Sequence, residues 1–185
     1  KDAGIENIVI VTGRGKRAIE DHFDKSYELE AELDKAHKHE LKEMVEEIST
    51  LAEIYYIRQK EAKGLGDAIR CARHFIGNEP CAILLGDDVV HAPGCPALKQ
   101  LMDVYEQHEC SVLGVQHVPQ ERVSSYGIVQ VSGRDMGSDR LFEVTDLVEK
   151  PPLERAPSNI AILGRYIITP RIFDVLMQTD IGTGG

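Results

Sequence analysis

Short apolar runs alternate with amphipathic stretches along the first two thirds of this chain. Ile5 to Val11 (IENIVIV) is β-branched and apolar, which predicts a buried strand. Thr12 to Gly15 breaks the run, and residues 16–24 carry a helical pattern. Residues 27–52 set Leu29, Leu33, Leu41, Met44, Val45, Ile48 and Leu51 among many Glu and Lys. That spacing predicts a long amphipathic helix, broken near His37-Lys38-His39. Ile54 to Ile57 is the next strand, followed by the glycine-rich Lys63-Gly64-Leu65-Gly66. Asp67 to Phe75 reads as a helix with an Ala68, Ile69, Ala72, Phe75 stripe. Cys81 to Leu85 reads as a strand ending at Gly86-Asp87-Asp88; Ala97 to His108 is a helix, and Ser111 to Val115 a strand.

This rhythm argues for the α/β class, with a mixed, mostly parallel sheet flanked by helices. After Pro119 the rhythm changes. Tyr126–Val131 and Leu141–Val148 read as strands with no long helix between them, so they should pair antiparallel. Ile160–Ile168 is a third strand, and Pro170 sits in the first turn of a last helix. There is no internal repeat, and 185 residues suggest a single domain over 1–185.

Charge narrows the function. The formal net charge of −10 repels a phosphate backbone, which argues against nucleic acid as partner. It would repel a nucleoside triphosphate as well unless a cation intervened, so phosphate chemistry here calls for a divalent metal. The cysteines Cys71, Cys81, Cys95 and Cys110 form no C-x-x-C and no zinc-site spacing, and they read as free thiols of a reducing cytoplasm. No stretch reaches the roughly 18 apolar residues of a membrane span, and no signal segment opens the sequence.

The sharpest candidate for chemistry is Leu84-Leu85-Gly86-Asp87-Asp88. Ligands of open α/β sheets bind beyond the carboxyl ends of the strands. A carboxylate placed there can share Mg2+ with substrate phosphates; it can equally cap a turn or a helix. Lys63-Gly64-Leu65-Gly66 is either a plain strand-to-helix turn or a place where backbone approaches a flat or anionic ligand. At Glu149-Lys150-Pro151 a Glu can bind sugar hydroxyls and a Lys a phosphate, or the two can be a surface ion pair of little energetic weight. Thr12-Gly13-Arg14-Gly15-Lys16 lacks the spacing and the Ser/Thr of a P-loop and reads as a turn. His37-Lys38-His39 reads as a solvated face, and the acidic stretch 28–47 as a solvated face or an oligomer contact.

In order and spacing these segments resemble one family. They are Ile8–Lys16 (IVIVTGRGK), Asp21–Asp24 (DHFD), Tyr56–Gln59 (YIRQ), Lys63–Ala68 (KGLGDA) and Leu85–Asp88 (LGDD). Tyr126–Val129 (YGIV), Val148–Pro151 (VEKP), Ala156–Ala161 (APSNIA) and Gly164–Tyr166 (GRY) follow. The family is the bacterial UTP–glucose-1-phosphate uridylyltransferases. The resemblance implies a Rossmann-like nucleotidyltransferase fold and formation of UDP-glucose and pyrophosphate from UTP and glucose 1-phosphate, with Mg2+. It implies that Gln59 and Gly64 lie at the uracil, that Asp87 is the metal ligand, that Gly127 and Glu149 lie at the glucose, and that Lys150 lies at the sugar phosphate. It leaves Asp88 structural, and a homo-oligomer is expected.

The family's opening G-x-G-T-R loop and its later Gly-Glu-x-x-Leu-Thr-Asp type segment have no counterpart in these residues. The expectation is therefore a chain truncated at both ends. Two alternatives stand beside the uridylyltransferase: an inactive binding or oligomerising fragment, and a related transferase using another nucleotide such as dTTP.

Overall fold

Strand β1 (Asn7–Thr12) and strand β2 (Glu53–Arg58) are the two apolar, β-branched and aromatic runs expected from the pattern, and they pair in parallel from Asn7↔Glu53 to Thr12↔Arg58. The computed structural model describes residues 1–179. Its contacts divide into two compact units, one of Lys1–Glu79 with the segment from Pro170, the other of Pro80–Thr169.

In the first unit the β1–β2 crossover carries helices α1 (Arg17–Phe23), α2 (Tyr27–Lys35) and α3 (His39–Ser49). The interruption expected near His37 is a helix terminus of Schellman type. His37 takes a left-handed φ of 54°, its N–H reaches Asp34 O at 3.0 Å, and the Lys38 N–H reaches Leu33 O at 2.9 Å. Helices α4 (Leu65–Cys71) and α5 (Arg73–Ile76) replace the single helix expected over 67–75, and the break falls at buried Ala72. Helix α7 (Arg171–Gln178) buries Phe173 and lies so close to α4 that a Cβ on Gly66 would sit 2.9 Å from Leu176 Cδ2.

The second unit is a five-stranded sheet of β3 (Cys81–Leu84), β4 (Val112–His117), β5 (Gly127–Val131), β6 (Val144–Glu149) and β7 (Ile160–Ile168), with helix α6 (Ala97–His108) between β3 and β4. Its core is Val118, Val123, Ile128 and Ala161, each at most 7% exposed, with Tyr126 and Ala156 packed against them.

The mixed α/β character is as expected, but the predominance of parallel pairing is corrected. Among the described residues β1–β2 is the parallel pair, and the pairings β3–β7, β4–β7, β5–β6 and β5–β7 are antiparallel. The reason is β7. This nine-residue strand runs between β3 and β4, opposite to both, so two strands that share a direction never touch as neighbours.

Candidate active site

The edge of β7 changes partner half-way along, and this opens the sheet. Its second half pairs with β3, from Cys81↔Ile168 to Leu84↔Arg165, and the Leu85 N–H still reaches Gly164 O at 2.8 Å. Its first half pairs with β5, at Ile128↔Ala161. Between Ala161 and Gly164 one strand has ended and the other has just begun. The carboxyl end of β3, with Asp87 and Asp88, and the start of β5, with Gly127, are delivered to the same stretch of β7. Of these, the carboxyl end of β3 is the kind of place where open α/β sheets take ligands.

The two aspartates differ in their bonding. Asp88 is half-buried, and its Oδ2 accepts the Gly164 N–H at 2.8 Å. Arg165 holds the same turn, donating through Nη1 to Leu85 O at 2.8 Å and to Gly164 O at 2.7 Å, and through Nη2 to Asp88 O. Asp87 is exposed, and among the described residues no donor reaches its carboxylate. Asp88 is thus committed to the fold and Asp87 is left to solvent. The turn-capping alternative for Asp87 finds no bond to support it.

Gly127 is directly opposite Glu149 across the β5–β6 ladder. A Cβ there would meet Glu149 Oε2 at 3.1 Å and Ile162 Cδ1 at 3.2 Å, so a side chain would crowd the Glu149 carboxylate. Lys150 follows in an unusual backbone state, with φ at 43° in the left-handed region. A residue before proline prefers extended backbone, so the following Pro151 makes this state costlier still. It is held by the Lys150 N–H bond to Tyr126 O at 3.0 Å and by Pro151, which is fully buried. The result turns Lys150 out of the strand line, exposed, with Nζ 3.5 Å from Glu149 Oε1. Backbone strain of this kind concentrates at functional sites. Tyr166 belongs to the same neighbourhood: burial first, then the charges of Asp88 and Glu149, raise its phenol pKa above the ordinary value.

Gln59 and Gly64 lie in the first unit. Gly64 caps α4 at φ 89°, a conformation that suits only glycine readily. The Gln59 amide nitrogen donates to Gly64 O at 3.3 Å and to Asp67 Oδ2 at 2.8 Å, so its carbonyl oxygen is left to accept. Asp67 in turn accepts from Arg70. The Gln59 hydrogen bond first, and the Arg70 bond second, hold the Asp67 carboxyl below its ordinary value of 3.8. A depressed folded-state pKa means that the stabilisation is complete above pH 3.8 and is lost as pH falls toward the lowered value. Melting temperature measured against pH should therefore fall less steeply below pH 3.8 in Asp67→Asn than in the wild type.

Two features were not legible beforehand: the Arg165 contacts and the left-handed Lys150. The Ala156–Ala161 segment proves structural. Ser158 Oγ donates to Val129 O at 2.6 Å and accepts the Ile160 N–H at 3.0 Å, and Asn159 Nδ2 donates to Val118 O at 3.1 Å.

The sequence pattern described as nucleotidyl transferase matches residues 1–183. The chain belongs to the nucleotidyl transferase family. Within that family it is 55% identical over 184 residues to a UTP–glucose-1-phosphate uridylyltransferase of Bacillus subtilis (strain 168), covering 100% of this chain and 62% of that protein. A crystal structure of UDP-glucose pyrophosphorylase complexed with UDP-glucose superposes with a TM-score of 0.84 at 40% identity, over 99% of this chain and 66% of that one. The UTP-bound UGPase from Acinetobacter baumannii gives a TM-score of 0.87 at 33% identity, over 98% of this chain and 64% of that one. This nucleotidyl transferase chain thus spans less than two thirds of the length of each of these relatives.

Proposed function

We propose that the protein transfers a uridylyl group from UTP to glucose 1-phosphate, giving UDP-glucose and pyrophosphate. The observation that carries this is the handover on β7, which gathers a free carboxylate, a glycine, a Glu and a projecting Lys at one sheet opening. Relatives whose names and complexes carry UTP and UDP-glucose support the choice of substrates.

In this reading a phosphate oxygen of glucose 1-phosphate attacks the α-phosphorus of UTP. The bond from that phosphorus to the bridging oxygen breaks, and pyrophosphate leaves with the electron pair. The protein's task is to place two anions together and offset their repulsion. Lys150 supplies a cation to the sugar phosphate, and Glu149 accepts hydrogen bonds from sugar hydroxyls. Gly127, lacking a Cβ, leaves room beside Glu149 for the ring. The Gln59 carbonyl oxygen accepts an N–H of uracil, and Gly64 lets backbone approach the base.

Among the described residues no group of three or more His, Cys, Asp or Glu side chains converges on a metal position. Asp87 alone fits Mg2+, which commonly takes one or two protein carboxylates and completes its shell with substrate phosphates and water. Held by Asp87 and the triphosphate, the ion would supply charge neutralisation at the α-phosphate. We further propose a cytoplasmic protein, consistent with four free cysteines. Association of copies is proposed through the exposed Tyr27, Leu29, Leu41 and Met44.

Pyrophosphate release from UTP and glucose 1-phosphate by the full-length protein, with and without Mg2+, tests the reading. Metal-dependent release that falls sharply when dTTP replaces UTP is expected. Absence of release, or a preference for dTTP, would overturn it.

A further inference from the structure

One guanidinium in this unit binds three backbone carbonyls and, among the described residues, no carboxylate. Arg165 spans Leu85 O, Gly164 O and Asp88 O, and so ties the turn after β3 to the strand beside it. From the other side, the Asp88 carboxylate takes the Gly164 N–H, an amide left without a ladder partner where β3 ends. The space is tight, for a Cβ on Gly164 would collide with both Leu85 and Asp88. Between the two fixed points, Leu85 and Asp88, stand Gly86 and Asp87, neither of which is hydrogen-bonded to the fold among the described residues.

We propose that Arg165 and Asp88 are positioning residues for Asp87: together they clasp the Leu85–Asp88 turn to β7 and so set how strongly Asp87 takes a divalent cation. The inference rests on the reading of Asp87 as the metal carboxylate. A carboxylate on an unfixed turn would have to be ordered when the cation arrives, and that ordering entropy would weaken binding. A clasped turn has already lost it. Arg suits the role better than Lys, since its rigid planar fork reaches several acceptors at once whereas an ammonium is a point donor. Outer partners of metal ligands commonly alter affinity about 10- to 100-fold when removed.

The test uses the full-length protein with UTP bound and Mn2+ as the probe, its free fraction read by electron paramagnetic resonance. Arg165→Lys should weaken Mn2+ binding about tenfold. The Mg2+ concentration for half-maximal turnover should rise by a similar factor, with kcat at saturating metal nearly unchanged. Asp88→Ala should weaken Mn2+ as much, and Asp88→Asn, which keeps an oxygen for the Gly164 N–H, should restore most of the loss. An Asp88→Asn variant as weak as Asp88→Ala would make Asp88 a ligand and overturn its positioning role.

Asp87→Ala separates the two levels. If it binds Mn2+ as tightly as the wild type, the metal reading of Asp87 falls. If it loses Mn2+ while Arg165→Lys and Asp88→Ala keep it, the ligand stands and the clasp falls. A measurement on the wild type needs no variant: the Gly164 amide should resist hydrogen exchange before any metal is added. Rapid exchange that slows only with Mn2+ would show that the turn is not held in advance, and would overturn the proposal.

Discussion

Asp87→Ala in the full-length protein is expected to lower kcat for UDP-glucose formation about 100- to 1,000-fold, the range seen when one preorganised electrostatic group is removed. The melting temperature should hardly move. Asp87 is exposed, and among the described residues nothing in the fold is bonded to its carboxylate, so its removal strips no partner. Substitutions of that kind usually change stability by less than about 0.5 kcal/mol. The split between activity and stability is the point of the measurement. Calorimetry and a pyrophosphate-release assay on the same sample provide it. Retained turnover would remove Asp87 from the mechanism. A collapse of stability would show instead that the carboxylate belongs to the fold.

Gly164→Ala should produce the opposite profile. Its added Cβ would lie 2.7 Å from Leu85 Cβ and 2.9 Å from Leu85 Cγ, and would overlap the Asp88 carboxylate as well. Neither neighbour can yield cheaply. Leu85 is tied by its own N–H to Gly164 O, and Asp88 is the partner of the Gly164 N–H. Overpacking a site like this costs about 1–3 kcal/mol, a loss of several degrees in melting temperature. Turnover should fall too, because the end of β3 must leave β7 and carry Asp87 with it. Gly86→Ala is the stability control. It lies in the same turn, and a Cβ there meets nothing within 4 Å, so its melting temperature should match the wild type. Equal melting of Gly164→Ala and the wild type would contradict the close packing of the turn on β7.

Much of this was written in local pattern. The apolar runs at 5–11, 54–57, 81–85 and 160–168 each became a strand, and Ala97–His108 became a helix with the expected ends. These signals depend only on which residues follow one another, with period two for strands and 3.6 for helices. The strand-end aspartates were legible for the same reason: an apolar run that stops at Gly-Asp-Asp places a carboxylate just past a sheet. The break near His37 was visible as a charged gap in an amphipathic stretch, though not that a histidine would take the left-handed position there.

What the amino-acid order determined, then, was the elements, the α/β class and the residue types available at each strand end. Apart from the antiparallel β5–β6 pair, expected because no long helix separates its strands, the tertiary structure alone decided which strands became neighbours. β7 pairs with β3 from some 80 positions earlier and divides it from β4, turning an expected parallel arrangement into an antiparallel one. It supplied the bonds that set Asp88 apart from Asp87, joining Asp88 to Gly164 across 76 positions and Arg165 to Leu85 across 80. It alone turned Lys150 out of its strand, through the bond to Tyr126 and the burial of Pro151. The physical reason is common to all three. Hydrophobic periodicity records which face of an element is buried, but it carries no information about what covers that face. Hydrogen bonds between distant segments form only once the chain has been brought together.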